Sequence, residues 1–167
     1  MKSLILYSSL SGNTKKIAEA IAREVEDAEL LSIREVQPAM LSHFDVIYLG
    51  YWVDKGDCDQ LTRSMLSHLQ EQRIVLFGTT GASRDAVAYY DKIKMQVESH
   101  LHTHHLLGHF LCQGKVSEKL IDRYRMMLRE HPEDEHLKQQ VVAYESGQAH
   151  PDEEDIREAV QFVRSIG

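Results

Sequence analysis

The sequence predicts an α/β fold in which a parallel sheet lies between two layers of helices. Short apolar runs, typical of strands buried on both faces, alternate with segments whose apolar residues recur at helical spacing. The alternation continues over about the first two thirds of the chain, which favours strand–helix–strand units. The 167 residues, 43% of them hydrophobic, are enough for a core of ordinary size. We therefore expect a single domain over residues 1–167, built as a three-layer sandwich.

The predicted elements follow one another in a regular order. The strands are short runs of aliphatic and aromatic residues, expected at Leu4–Tyr7, Leu30–Ile33, Asp45–Gly50, Ile74–Gly78 and Leu106–Cys112. The helices carry apolar residues three and four positions apart, and are expected at about residues 13–26, 57–70, 86–101 and 152–166. The last helix begins after Pro151 with four acidic residues, which suit a helix N-terminus.

Residues 115–149 do not fit this alternation. Leu120, Ile121 and Tyr124 belong to an amphipathic stripe, and a second helix is expected from Pro132. Two helices inserted before the last one could cover the edge of the sheet, or they could form a face that docks a partner. The sequence leaves both interpretations open.

The turn after the first strand is rich in hydrogen-bonding side chains. Residues 8–14 read Ser-Ser-Leu-Ser-Gly-Asn-Thr and lead directly into a helix, whose first amide groups and dipole favour an anion. An ordinary turn needs only one capping side chain, and neither a P-loop nor a G-x-G-x-x-G pattern is present. We predict a phosphate-binding turn. Its residues are Ser9, Leu10, Ser11, Gly12, Asn13 and Thr14.

Two further loops are expected at the same edge of the sheet, where parallel sheets bind ligands. The loop after the third strand holds Trp52, the only tryptophan, which could stack on a flat aromatic ligand or simply pack against the sheet. The loop after the fourth strand consists of small residues that would allow a ligand to approach the backbone, or it is a plain turn. The ligand contacts expected from these loops are Tyr51, Trp52, Val53, Lys55, Gly56, Asp57, Thr79, Thr80, Gly81 and Ala82.

The motif Ser9-x-Ser11-Gly12-x-Thr14 resembles the phosphate loop of flavodoxins, which is Thr/Ser-x-Thr/Ser-Gly-x-Thr after the first strand and holds the 5′-phosphate of FMN. The resemblance covers about residues 1–112 and 150–166. It implies a flavodoxin-like sandwich whose five parallel strands lie in the order 2-1-3-4-5, with FMN as the cofactor. It also implies that the Gly56–Asp57 peptide reorients when the flavin is reduced.

The sequence departs from the flavodoxin pattern in the loop after the fourth strand. Ala82 stands where an aromatic residue is common, and Arg84 replaces an expected acid. The resemblance then implies that the flavin stacks on one face only, at Trp52 or Tyr51. Two nearby cations, Lys55 and Arg84, would favour an anionic reduced flavin and raise the second reduction potential.

The function implied by the resemblance is electron transfer from a reductase to an acceptor enzyme, with no catalytic residue supplied by the chain. Some atypical members of the family act on quinones or on tetrapyrroles such as bilirubin, and the Tyr-Trp-x-Asp-Lys-Gly loop is similar to theirs. An FMN-dependent oxidoreductase is therefore an alternative. A non-redox, phosphate-binding regulatory module is a second alternative, because a fold alone does not fix a function.

The composition of the chain restricts the kinds of partner and the cellular location that we expect for it. A net charge of −7 disfavours nucleic acid and favours docking onto a basic protein surface. The sequence contains no apolar run of about 18 residues and begins almost directly with a strand, so neither membrane insertion nor a signal peptide is expected. Cys58 and Cys112 lie far apart, which suits a reduced, cytoplasmic protein. A monomer is expected, although the sequence does not fix the oligomeric state.

Five histidines lie close together in the sequence. Residues on a helix end, a loop and a strand need not converge, and neither an acid nor a cysteine completes a familiar ligand spacing. We therefore expect no metal site among them. They are His100, His102, His104, His105 and His109.

Overall fold

A computed structural model describes residues 1–102 and 105–167. The strands are β1 (Ser3–Tyr7), β2 (Ala28–Ser32), β3 (Val46–Asp54), β4 (Asp57–Cys58), β5 (Arg73–Thr80) and β6 (Leu106–Gln113). The helices are α1 (Asn13–Glu24), α2 (Gln60–Leu66), α3 (Val87–Glu98), α4 (Glu118–Glu130), α5 (Glu135–Ser146) and α6 (Glu153–Ile166). Short 3₁₀ turns cover Ile33–Glu35, Pro38–His43 and Gly147–Ala149.

The sheet confirms the predicted fold class and strand order. Five parallel strands lie in the order β2-β1-β3-β5-β6, and β4 adds a short antiparallel pairing to β3. Successive residues of a strand point to opposite faces, so that Leu4 and Leu6 join the core beneath α2 and α3, whereas Ile5 joins the core beneath α1 and α6. The molecule is therefore a three-layer sandwich with apolar cores on both faces of the sheet.

The end of β3 differs from the prediction. The strand was expected to stop at Gly50, but it continues to Asp54, because Tyr51 pairs with Gly78 and Trp52 pairs with Thr79 on β5. Lys55 and Gly56 both have positive φ, 52° and 80°, and turn the chain back into β4. This two-residue hairpin was predicted as a loop, because a strand that outruns its apolar run cannot be recognised from periodicity alone.

The inserted segment forms two helices that pack on each other through an edge-to-face contact between Tyr124 and Tyr144, 5.0 Å between ring centroids. The second helix begins at Glu135 rather than at Pro132, because the Asp134 side chain accepts a hydrogen bond from the Leu137 amide and caps it. None of the helices within residues 1–102 and 105–167 is long and apolar enough to cross a membrane.

The insertion lies at the carboxyl ends of β5 and β6. Gln113 Nε2 on β6 donates to the carbonyl oxygen of Ala143 in α5, at 3.1 Å. A side chain at Gly81, just beyond β5, would collide with Val116 and Tyr144. The helices therefore cover part of the edge at which a ligand was expected.

Candidate functional site

The turn after β1 has the geometry of an anion-binding site. Gly12 is the N-cap residue of α1, adopts the left-handed conformation, φ 90°, and makes no side-chain cap bond of its own. A Cβ at Gly12 would meet nothing within 4 Å, so the space above the turn is open. Ser9 Oγ accepts hydrogen bonds from the amides of Gly12, at 3.1 Å, and Lys15, at 3.3 Å. Two amide groups at the positive end of a helix dipole thus already converge on an oxygen atom.

Two side chains of the predicted motif point elsewhere. Thr14 is fully buried, and its Oγ1 donates to the carbonyl oxygen of Tyr51, at 3.0 Å, and lies 2.9 Å from Thr79 Oγ1. Asn13 Nδ2 donates to the carbonyl oxygen of Lys115, at 2.8 Å. These bonds fasten the turn to its neighbours, so the side chains of Asn13 and Thr14 do not face a ligand at this turn.

Asp59 supports the turn from beneath, and the sequence analysis did not identify it. Its carboxyl group is 2% exposed and accepts four hydrogen bonds. Ser8 Oγ donates at 2.6 Å, the Trp52 amide at 3.3 Å, and the Thr62 hydroxyl and amide at 2.8 and 3.3 Å. One residue therefore caps α2 and joins that helix to the phosphate turn and to β3. Its position directly before an amphipathic helix was the available signal.

A cavity of about 290 Å³ adjoins the turn and brings it together with Trp52. Its lining includes Ser9 and Leu10 of the turn, Trp52 and Asp54 of β3, and Leu61 of α2. Leu10 is 73% exposed and Leu61 41% exposed, so apolar surface surrounds the opening. The cavity thus combines an anion-binding turn with the wall of an aromatic ring, as a phosphate joined to a flat ring system requires.

Tyr51, the alternative stacking residue, lies inside the core. Its ring is fully buried against Gly78, and its hydroxyl donates to His109 Nε2 at 2.7 Å. His109 Nδ1 in turn bonds Glu98 Oε1 at 3.0 Å. Tyr51 therefore offers no ring face to a ligand, and of the two predicted stacking residues only Trp52 lines the cavity.

Burial sets the protonation states of Tyr51 and His109. It raises the pKa of Tyr51 well above its ordinary value and lowers the pKa of His109 to about 4, although the bond to Glu98 acts in the opposite direction. At neutral pH the imidazole is then neutral. Its partners assign the proton to Nδ1, which donates to Glu98, while Nε2 accepts from Tyr51.

The hairpin beyond Trp52 packs on α3 rather than beside the cavity. Asp57 Oδ2 lies 2.8 Å from His100 Nε2 and 3.4 Å from Gln96 Nε2. Although burial alone raises the pKa of Asp57, the hydrogen bonds that its carboxylate accepts from His100, the Cys58 amide and Gln96 lower the pKa overall. The structure does not bring Lys55, Gly56 and Asp57 into the lining of the cavity that contains Trp52, and Val53 packs against the core.

The loop after β5 is covered. Thr79 and Thr80 are buried, Gly81 lies against the insertion, and the carbonyl oxygen of Ala82 accepts from Tyr90 Oη at 2.9 Å. Its backbone is occupied by bonds within the protein, including one from the Gly114 amide to the Thr80 carbonyl at 2.8 Å. The close approach of a ligand that the small residues suggested is thus blocked by α5 and the residues before α4.

Arg84 does not act as a free cation at this edge. Its guanidinium bonds Glu158 at 2.8 Å and lies 3.7 Å from Glu154, both on α6. The hydrogen bond to Glu158 raises the pKa of Arg84 further, as is expected of a paired guanidinium. The predicted effect on the reduction potential therefore loses one of its two cations.

Two of the five neighbouring histidines form hydrogen bonds with carboxylates. His100 bonds Asp57, and His109 bonds Glu98. His104 lies outside the described residues. Sequence spacing gave no signal of these pairs, because the first joins residues 43 positions apart.

The Flavodoxin domain family model matches residues 4–164, nearly the whole chain and including the inserted helices. The chain belongs to the flavodoxin-domain family. The flavodoxin-like domain-containing protein BilS of Clostridioides difficile (strain CD3) is 42% identical over 170 aligned residues, which cover 99% of this chain and 96% of that protein. A protein of the same name from Clostridium symbiosum (strain WAL-14163) is 34% identical, covering 99% and 95%.

Solved structures share the fold of this flavodoxin-domain protein. Oxidised flavodoxin 1 from Bacillus cereus has a TM-score of 0.54 at 17% identity, covering 99% of this chain and 97% of that one. A flavoprotein from Lactobacillus acidophilus NCFM, solved in complex with FMN, has a TM-score of 0.52 at 19% identity, covering 66% and 92%. Membership of the flavodoxin-domain family supports FMN as the cofactor and electron transfer as the general activity.

Proposed function

We propose that this chain binds one FMN non-covalently and carries electrons from a reductase to an acceptor enzyme. The observation that carries the proposal is the convergence of the Gly12 and Lys15 amides on Ser9 Oγ, because Ser9 and Leu10 of the same turn line a cavity together with Trp52. When bound, the flavin supplies the redox chemistry, and the protein supplies binding and orientation.

Each part of the cavity has a task in this proposal. The amides of the turn and the α1 dipole bind the phosphate, with the Ser9 and Ser11 hydroxyls as further partners. The Trp52 side chain packs against the ring system and excludes water from one of its faces. Asp59 keeps the turn and the Trp52 backbone at a fixed separation, because it accepts hydrogen bonds from both Ser8 and Trp52.

The size of the cavity favours an electron carrier over an enzyme that also binds a small substrate. Its volume of about 290 Å³ lies at the lower end of ligand pockets, so it suits part of one flavin rather than a flavin together with a tetrapyrrole. The exposed side chains of Leu10 and Leu61 at its rim offer an apolar contact to a protein partner. The net charge of −7 favours a partner with a basic surface.

The cofactor assignment is tested by titrating the purified full chain with FMN and riboflavin. We expect FMN to bind with quenched flavin fluorescence and riboflavin to bind much more weakly. Gly12→Val should weaken FMN binding by at least about tenfold, because a branched side chain blocks approach to the amides. Equal affinities for FMN and riboflavin would contradict the phosphate site.

The stacking assignment has its own matched pair. Trp52→Ala should restore part of the fluorescence of bound flavin, whereas Tyr51→Phe, which alters a buried ring, should leave the quenching unchanged. Unaltered quenching in Trp52→Ala would place the ring system elsewhere.

The carrier assignment is tested with defined donors and acceptors. Flavin-loaded protein is mixed with NADPH, with or without a flavodoxin reductase, and with cytochrome c, menadione or bilirubin as acceptor. A carrier reduces cytochrome c only when the reductase is present. Turnover of menadione or bilirubin by the chain and NADPH alone would instead establish an FMN-dependent oxidoreductase. A chain that binds no flavin would leave the regulatory module as its function.

A further inference from the structure

A second cluster of chemically active side chains lies outside the cavity, where the hairpin after β3 meets the end of α3. Asp57 and Cys58 form β4, and His100 follows α3. One ligand atom from each residue, a carboxylate oxygen, the thiol sulfur and an imidazole nitrogen, lies within 4.8 Å of the other two. The fold brings Asp57 and His100 together although they lie 43 positions apart in the sequence.

Two of the three groups are already hydrogen-bonded. His100 Nε2 lies 2.8 Å from Asp57 Oδ2. The Cys58 amide donates to Asp57 Oδ1 at 2.7 Å, which orients the carboxylate so that Oδ2 faces the imidazole. Such a backbone bond is the kind of supporting contact that fixes a metal-binding carboxylate.

We propose that Asp57, Cys58 and His100 form a site for a divalent cation of the zinc class. Sulfur, nitrogen and oxygen donors together suit Zn²⁺ and Co²⁺ better than Mg²⁺ or Ca²⁺, which prefer oxygen ligands alone. Ligand atoms around a tetrahedral zinc are separated by roughly 3 to 4 Å, given bonds of about 2.0 to 2.3 Å. The present separations reach that range with small side-chain movements.

When the cation binds, it displaces one proton from the site. The Cys58 thiol loses its proton to solvent and becomes the thiolate ligand, the imidazole stays neutral, and the carboxylate stays ionised, so that one proton is released for each cation bound. Affinity therefore rises with pH. Three protein ligands leave the fourth position to water.

The surroundings permit a cation to enter. The side chains of Asp57 and His100 are 14% and 28% exposed, whereas Cys58 lies behind them with no exposed surface. The positive charge of Arg63 opposes a bound cation, since its Nη1 lies 3.9 Å from Asp57 Oδ2, but the Arg63 side chain is 42% exposed and can turn into solvent. The cation would then bridge β4 and the end of α3 and hold the Lys55–Gly56 turn against that helix.

The test is a cobalt titration of the full chain, with its thiols kept reduced by a reductant that does not bind metals. We expect a single Co²⁺ per chain to produce thiolate-to-metal absorption and tetrahedral d–d bands at wavelengths longer than those of flavin, and Zn²⁺ to abolish both. Isothermal titration with Zn²⁺ in two buffers of different protonation enthalpy should show the released proton.

Variants separate this site from adventitious binding. Cys58→Ala and His100→Gln should each lower Zn²⁺ affinity by at least about 100-fold. Cys112→Ala, the other buried free cysteine, and His150→Gln, from a second cluster with Asp152 and Asp155, should leave it unchanged. His100 is partly exposed, so His100→Gln remains informative if Cys58→Ala does not fold. Absence of the cobalt bands, or bands that survive His100→Gln, would overturn the proposal.

Discussion

The turns after β1 and β5 lie at the same edge of the sheet and are both made of small and polar residues, yet only the first is open. Gly12 faces empty space, whereas a Cβ at Gly81 would lie 2.6 Å from Val116 and 3.2 Å from Tyr144. The difference comes from what lies above each turn: solvent in the first case, the inserted helices in the second. Composition thus shows where a ligand could approach the backbone, and tertiary packing decides where it does.

The open turn is nevertheless firmly held. Asp59 bonds it from below, Asn13 ties it to Lys115, and Thr14 joins it to Thr79 at the end of β5. An anion site gains from such support, because amides that already converge lose little conformational entropy on binding. The two turns therefore differ in whether other residues pack over them, and not in how firmly they are held. Four experiments address that difference.

The largest effect is expected at Asp59. Asp59→Ala removes the α2 cap and leaves the donors of Ser8, Trp52 and Thr62 without their acceptor, so we expect a loss of about 4 kcal/mol in the free energy of unfolding. Urea denaturation measures it. Asp59→Asn, which keeps the shape and part of the acceptor capacity, should lose clearly less. A loss below about 1 kcal/mol in Asp59→Ala would mean that the turn stands without this support.

A smaller loss, about 3 kcal/mol, is expected from Gly81→Val. The new side chain must displace Val116 and Tyr144, since packed interiors resist added methyl groups. Gly12→Ala is the matched change in the open turn, and should cost only the strain of a left-handed residue, about 1 to 2 kcal/mol. Equal losses in the two variants, measured by urea denaturation, would contradict the difference in cover.

The pH dependence of stability probes the core beneath the covered turn. The pKa of His109 falls from 6.5 to about 4 on folding, so the unfolded chain binds a proton that the native imidazole refuses. The stabilisation that the neutral His109 imidazole contributes is therefore complete above about pH 6.5 and is lost as the pH falls towards 4. Between pH 7 and pH 5 the loss is about 2 kcal/mol. His109→Gln should show a correspondingly flatter profile in urea melts over this range, and an equally steep profile would assign the effect to other groups.

The smallest effect concerns Thr14, which joins the two turns. Thr14→Ala removes the bonds to Tyr51 and Thr79, for a loss of about 1 kcal/mol in stability, and Thr14→Ser should recover most of it. Because the hydroxyl is buried and points away from the cavity, FMN affinity should stay within about threefold of wild type. A selective loss of affinity without a loss of stability would show that Thr14 faces the ligand.

Much of the fold follows from local patterns in the sequence. The apolar runs of β1, β3 and β5 are buried on both faces, and their alternation with amphipathic helices is specific to a parallel sheet with helices on each side. The turn after β1 could be predicted because its signal, a strand followed by small polar residues and a helix, is contiguous. The hairpin at Lys55 and Gly56 was missed because its strands are held by pairing across the sheet.

The candidate site was predicted less completely. Trp52 lies in one cavity with Ser9 and Leu10 of the predicted turn, but Tyr51 turns into the core, and residues 79–82 are covered. A side chain's direction depends on the register of its strand, and a shift of one residue sends it to the other face. Trp52 and Tyr51 are neighbours in the sequence and therefore point to opposite sides, which the loop prediction did not take into account.

The sequence by itself determined the family and the sheet with its two helical layers, and it predicts the anion-binding turn, because each depends on residues close together in the chain. Only the tertiary structure decided which turn stays open, which aromatic ring reaches the cavity, and that Asp57, Cys58 and His100 meet. These outcomes depend on contacts between segments far apart in sequence. Such contacts are fixed by packing and by strand register, neither of which any local pattern records.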